Sequence, residues 1–435
     1  MYYLFNIFFE KYKKYDAMII YNHIEVINVK KYNLIVVGGG IAGVSAAVSA
    51  AREGISVLLI EQSGSLGGEL SNALVYPFMK HFMYGGKRML SDGIFTEMKK
   101  RFKEYGDSSF EAYKFVFDDM VTEAGVDVLF HASVFETITE GRIVKGVRCA
   151  TKSGVMEFEA DYFADTSGDG DLLYLAGCDY QLGREEDGLC QPMTTCFRVS
   201  GVDVETFEKE RPELLKKYNE WQKEGRILNP RENILRFLGL GEGIVHFNTT
   251  RVVKLSPVDP FEISRAEIIA RRQIHELMRF LKENSKAFDK AAVISIASHI
   301  GIRESRKLKG VHILTEEELK TGYDFEDSIA LGNYDIDIHN PEGTGTYLYY
   351  FPDDDFYKVP YRSLLPKEYD NMLVAGRCLS ATHRAHSSVR IMPICACLGE
   401  AAGVALALAH NTTKNVHTIN IKDLQNKLIE KGVAL

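Results

Sequence analysis

Leu34-Ile35-Val36-Val37-Gly38-Gly39-Gly40-Ile41-Ala42-Gly43-Val44-Ser45-Ala46-Ala47 is the stretch that decides the fold. A β-branched run from Leu34 to Val37 ends on glycines, and a small-residue helix from Ile41 to Glu53 follows. After Gly54 a second strand, Ser56 to Ile60, ends in Glu61. Strand, Gly38-x-Gly40-x-x-Gly43, helix and an acid about 20 residues further on make the dinucleotide fingerprint. Gly38 allows the sharp turn, Gly40 lets backbone approach a pyrophosphate, and Gly43 lets helix and strand touch. The helix start then turns unpaired N–H groups and a positive dipole end toward the phosphates. Glu61 is placed to accept from the adenosine ribose hydroxyls, and its charge would repel a 2′-phosphate, which disfavours NADP.

The uncharged window Leu34 to Ala51 approaches a membrane span in length, but three consecutive glycines split it into a strand and a helix. No membrane role is expected. Upstream, Met1 to Glu10 is rich in Tyr, Phe and Ile, yet Lys11, Lys13 and Lys14 follow rather than precede it, the wrong order for a signal peptide. Residues 1–30 are expected to be an extension, with Met18 as an alternative start. Across the 435 residues, 52 Lys and Arg against 60 Asp and Glu give a net charge of −8, which repels phosphate backbones and argues against nucleic acid as a partner. The 7 Cys are odd in number and scattered, so no disulfide framework is expected and a reducing, cytoplasmic setting is.

Downstream, Val126 to Phe130, Val134 to Ile138, Ile143 to Cys149, Val155 to Phe158 and Tyr162 to Asp165 read as short strands, a small sheet layered on the nucleotide unit. Val202 to Arg231 is helical in composition, and Ile244 to Val253 alternates like a strand. Ser264 and Glu267 have capping-box spacing at the head of a helix running through Asn284. Met372 to Ala375 is another apolar strand, followed by a loop rich in His and Arg and an Ala/Gly helix from about Leu398 to His410. The expected class is α/β: a Rossmann-like domain, with a central parallel sheet plus a small antiparallel one, split by an inserted α+β domain. The boundaries are 31–190 and 359–435 for the nucleotide domain and 191–358 for the inserted substrate or cap domain.

Two further glycine-bearing stretches select among dinucleotides: Gly64-Ser65-Leu66-Gly67-Gly68 just past Glu61, and Tyr162-Phe163-Ala164-Asp165-Thr166-Ser167-Gly168-Asp169-Gly170-Asp171, a strand entering a tight acidic turn. With these the chain resembles the FAD-dependent oxidoreductases that have a glutathione-reductase-like flavin domain, on the branch near the fumarate reductase flavoproteins. There is a distant likeness to the flavin subunit of heterodisulfide reductases. The resemblance runs from about Tyr32 to Ala409. It also rests on Gln191-Pro192-Met193-Thr194, Asn248-Thr249-Thr250-Arg251, Gly301-Ile302-Arg303-Glu304-Ser305-Arg306, Asp335-Ile336-Asp337-Ile338-His339, Pro360-Tyr361-Arg362-Ser363-Leu364, Ala375-Gly376-Arg377, Ser387-Ser388-Val389-Arg390-Ile391-Met392-Pro393 and Gly399-Glu400-Ala401-Ala402-Gly403. It implies FAD as cofactor, held by Gly38, Gly39, Gly40, Ile41, Ala42, Gly43, Glu61, Gln62, Gly67, Gly68, Val134, Gly168, Gly376 and Arg377. In this fold the last helix offers its start to the flavin's pyrimidine edge, so the Ile391 and Met392 N–H groups are the expected donors. Pro393 suits an early helical turn.

A flavin performs the redox step itself, and the protein positions substrate and stabilises charge. His383, Arg384, His386 and Arg390 fall within eight positions, a cluster able to clamp a carboxylate and donate a proton. Arg303 and Arg306, read as i and i+3 on a helix, and His339 in the inserted domain complete the candidates, with His383, His386, Arg390, Arg303 and His339 as the catalytic set. His383-x-x-His386 lacks a third ligand nearby, so no metal is expected. Ser71 to Lys80 has no Cys pair for disulfide reduction, no CxxCxxC run points to a cluster, and no His lies between Gly68 and His81 to carry a covalent flavin. The expected function is hydride transfer between flavin N5 and a small, anionic organic substrate. The alternatives are an electron-transfer subunit serving a protein partner and a non-catalytic dinucleotide sensor.

Overall fold

The computed structural model describes residues 27–28, 31–83, 86–106 and 111–435. The extension 1–30 and the start at Met18 lie outside the described residues, apart from Ile27–Asn28, which pair in parallel with Met156 and Glu157.

The strands of the central sheet are β1 (Tyr32–Val37), β2 (Val57–Ile60), β3 (Asp127–Leu129), β4 (Ser133–Glu140), β5 (Ile143–Thr151) and β6 (Gly154–Asp165). They lie side by side in the order β3-β2-β1-β6-β5-β4. β1, β2 and β3 are parallel, as the buried β-branched runs require, while β4, β5 and the first half of β6 form an antiparallel meander. The two strands expected at 155–158 and 162–165 are therefore one. Glu159 and Asp161, which suggested a break, lie on exposed or half-exposed positions, and Asp161 pairs with Lys31 at 3.0 Å. The second half of β6 joins β1 on one side and the late strand Met372–Val374 on the other, both in parallel.

The helix after the glycine turn, α1 (Ile41–Arg52), is buried along nearly its whole length. It packs on the closing helix Met392–Asn411, which begins six residues before the Ala/Gly composition suggested. A β-carbon on Gly399 would stand 2.1 Å from the Ala42 carbonyl oxygen, and one on Gly403 would stand 2.2 Å from that of Ala46. The two backbones touch because both helices are built of small residues. The closing helix is long and apolar enough to cross a membrane, but 94% of its apolar window is buried inside the protein.

Between these parts lie the sheet built of Phe197–Ser200, Arg236–Phe237, Val245–Phe247 and Ala292–Ile296, and the helices Val204–Lys223 and Pro260–Asn284. The longer helix starts at Pro260, with Asp259 accepting from the N–H groups of Phe261 and Glu262. The Ser264/Glu267 capping box does not form: Ser264 donates to the Pro260 carbonyl, and Glu267 accepts from Ile300 N–H at 2.6 Å. A hairpin, Ile336–His339 with Thr346–Tyr349, leans over the same side.

Candidate active site

The sheet turns, the start of the closing helix and the inserted segments enclose one cavity of about 1260 Å³. Its floor is the glycine turn. Gly38 has φ +98°, and a side chain there would strike Ser167 backbone at 2.5 Å, while one on Gly43 would lie 1.9 Å from the Gly38 carbonyl oxygen. At Gly40 an added β-carbon meets nothing within 4 Å. The helix start is thus tightly built below and open above, the shape a pyrophosphate needs. Glu61 stands at the end of β2 and accepts from the N–H groups of Gly39 (2.6 Å) and Ser63 (2.7 Å). Gly67 donates to the Gly39 carbonyl at 2.8 Å, folding the second glycine stretch against the first. Gln62, Gly67, Gly68, Val134, Gly168, Gly376, Arg377, Ile391 and Met392 line the cavity together with Gly38, Gly40, Ile41, Ala42 and Glu61. Gly39 and Gly43 lie beneath that lining. A dinucleotide as long as FAD fits this channel: it is open at Gly40, closed by an acid at one end and by a helix start at the other.

At the end near Ile391 the wall is cationic. Arg303 donates to the Pro192 carbonyl and to Thr194 Oγ1, both at 2.6 Å and both neutral. Burial, then the charges of Arg390 and Arg231, pushes its guanidinium down to about 9. Arg390 reaches Gln191 Oε1 at 3.5 Å with Nη2, and its buried Nε has no partner. Arg231 donates to Asn233 at 3.1 Å. Behind them Arg251 pairs with Glu232 at 3.0 Å and approaches His339 Nδ1 at 3.2 Å. His339 Nε2 lies 3.5 Å from Asp337, which also accepts from Tyr334 O–H at 2.9 Å. Burial, then the four arginines, holds His339 well below the usual histidine range, so it is neutral near pH 7.

Of the five residues singled out for catalysis, Arg303, Arg390 and His339 line this cavity, and His383 and His386 do not. The segment expected to be a loop is the helix His383–Val389, capped by Thr382. It turns His383 Nδ1 onto buried Glu304 (2.8 Å) and His386 Nε2 onto the Arg377 carbonyl (2.8 Å). The two rings have different partners, and among the described residues no group of three His, Cys, Asp or Glu is set to hold a metal. Arg303 and Arg306 share no helix face. Residues 303–305 are irregular and lead into the strand Arg306–Leu308, where Arg306 turns away to Asp171 (3.1 Å) and the Tyr174 ring. Arg231, Tyr334 and Asp337 complete the wall and were not singled out individually. Asp337 lay inside a quoted motif, but no spacing in the sequence pointed to Arg231.

A family model described as FAD dependent oxidoreductase matches residues 33–428. Among solved structures, the chain is similar to a geranylgeranyl bacteriochlorophyll reductase-like protein from Thermoplasma acidophilum, at 14% identity over 92% of this chain and 84% of that one, with a TM-score of 0.45. It is also similar to a triple mutant of a flavin-dependent brominase, at 12% identity over 92% and 84%, with a TM-score of 0.47. A myxobacterial chondrochloren halogenase matches at 15% identity over 92% and 78%, with a TM-score of 0.42.

Proposed function

The chain belongs to the FAD dependent oxidoreductase family, and on that premise we propose that it moves a hydride between flavin N5 and a small organic anion seated under Arg303 and Arg390. The observation that carries this reading is the charge balance of the wall. Arg231, Arg251, Arg303 and Arg390 stand together at this end; among the described residues Glu232 pairs with Arg251 and Asp337 lies against His339, while Arg303 hydrogen-bonds to the neutral Pro192 carbonyl and Thr194 hydroxyl. Crowded, desolvated guanidinium groups gain most from an added carboxylate.

Bound FAD supplies the hydride-transfer centre. The glycine turn and the start of α1 would hold its pyrophosphate, and Glu61 would accept from the ribose. The Ile391 and Met392 N–H groups, at the start of the closing helix, would face the ring's pyrimidine edge. Arg303 and Arg390 orient the anion, while neutral His339, its Nδ1 turned to Arg251 and its Nε2 to Asp337, holds those two groups in place beside it. The division into a split flavin domain and an inserted substrate domain at 191–358 belongs to the same reading. So does a reducing, cytoplasmic setting, supported by seven free thiols.

The test is titration of FAD-loaded protein with butanoate, followed by flavin absorbance and calorimetry. Arg303→Met should weaken butanoate by roughly 10- to 100-fold, the worth of a charge-assisted hydrogen bond, at unchanged FAD content. Equal affinity in the variant, or reduced flavin that reoxidises only with a protein fraction, would overturn the reading.

A further inference from the structure

The cavity that takes in the dinucleotide channel continues past it, and the wall beyond the arginines changes character. From Arg231 and Asn233 the lining passes to Leu235 and Phe237. These last two alternate along a segment held to its neighbour by Asn248 N–H on the Leu235 carbonyl (3.0 Å) and by pairing of Phe237 with His246. Ile263 and Leu348 line the same space. Leu348 is the cross-strand partner of Asp337 and is 43% exposed, so an apolar side chain stands beside the Tyr334–Asp337–His339 group with much of its surface uncovered. Leu235, Phe237, Ile263 and Leu348 all belong to the inserted segments rather than to the dinucleotide fold. A second carboxylate lying against them would be desolvated without a partner, whereas a hydrocarbon would bury area on both sides.

We propose that the substrate is an amphipathic monocarboxylate, with its acid group under Arg303 and Arg390 and its hydrocarbon body along Leu235, Phe237, Ile263 and Leu348. This rests on the anion reading above and narrows it to one class of acid.

The experiment is calorimetric titration of FAD-loaded protein with butanoate, hexanoate, octanoate, succinate and octanol, with flavin difference spectra as a second readout. Each added pair of methylenes should lower Kd about tenfold. Octanoate should bind more tightly than both succinate and octanol. Leu235→Gln and Leu348→Gln, both at incompletely buried positions, should flatten the chain-length dependence, weakening octanoate by roughly tenfold more than butanoate. Unchanged FAD content and Tm would show that these variants are folded. A Kd independent of chain length, or succinate tighter than octanoate, would overturn this inference and leave the anion reading standing. Failure of every carboxylate to bind, or octanol binding as tightly as octanoate, would overturn the anion reading beneath it.

Discussion

Lys307 donates to Glu304 and to the Gly183 carbonyl, with neither charged side chain exposed. Glu304 also accepts from Gln191 N–H at 3.1 Å and from His383, so one buried carboxylate ties together the segments on either side of Arg303.

Glu304→Gln leaves the Lys307 ammonium buried without its counter-charge. A loss of roughly 3–5 kcal/mol is expected, read as the shift in urea midpoint. Glu304→Gln combined with Lys307→Met removes the stranded charge while an amide oxygen can still accept from Gln191 N–H, and should recover much of it. A double variant as unstable as the single one would show that the pair is not the source.

Gly40 and Gly43 should separate binding from folding. Gly43→Ala drives a methyl to 1.9 Å from the Gly38 carbonyl oxygen and should destabilise the cofactor-free protein by at least about 2 kcal/mol. Gly40 has φ −64° and open space above it, so Gly40→Ala should leave Tm within a degree or two of wild type. The methyl would occupy the path of the pyrophosphate and should weaken FAD at least tenfold. Recovery of flavin fluorescence on dilution measures the second effect, and thermal melts of the apoprotein measure the first.

His386 Nε2 donates to the Arg377 carbonyl, and the Arg377 guanidinium meets Asp169 at 2.9 Å and Glu69 at 3.5 Å. The ring therefore acts on the cavity through a backbone position. His386→Leu should weaken FAD roughly tenfold by stranding that carbonyl. At saturating FAD it should leave kcat within about threefold, and His386→Gln should restore part of the affinity. A 10²- to 10⁴-fold fall in kcat at full FAD occupancy would mark a proton-transfer role instead.

Stability should fall as acid is added, starting near pH 6.5. Burial, then the charge of Arg198, pushes His246 down to about 3, and burial also holds His386 and His339 well below the usual histidine range. In the unfolded chain these rings take up protons near 6.5 while the folded forms stay neutral. Their contribution is therefore complete above pH 6.5 and is lost as pH falls toward the folded values. Each such ring adds roughly 1.4 kcal/mol per pH unit to the slope below pH 6. His246→Leu should remove about that much of the slope in urea titrations between pH 6 and 4.5.

The glycine turn, Glu61 and the α/β class were legible because backbone geometry at a phosphate-binding turn leaves few choices of residue. The split of β6 was misread because alternation and polarity are local signals, and a strand passing from meander to parallel sheet exposes Glu159 while half-exposing Asp161. The substrate wall was only partly legible. Arg231, Arg303, Arg390 and His339 come together from widely separated parts of the chain, and nothing local says which guanidinium is turned inward. The His383 to Arg390 cluster drew attention by density alone, yet helix formation there sends its two histidines to Glu304 and to Arg377 backbone. Only Arg390 is left for the cavity.

Met372–Val374 completes the edge of β6 opposite β1, and the helix that follows covers α1. A ribosome making this chain has therefore released the glycine turn and α1 some 330 residues before the strand and helix that complete the sheet and cover that helix. Until then the nascent protein carries an unpaired apolar strand edge and a bare alanine face. Prolonged pausing late in synthesis should accordingly expose it to aggregation, and added flavin cannot rescue products that stop short of Val374.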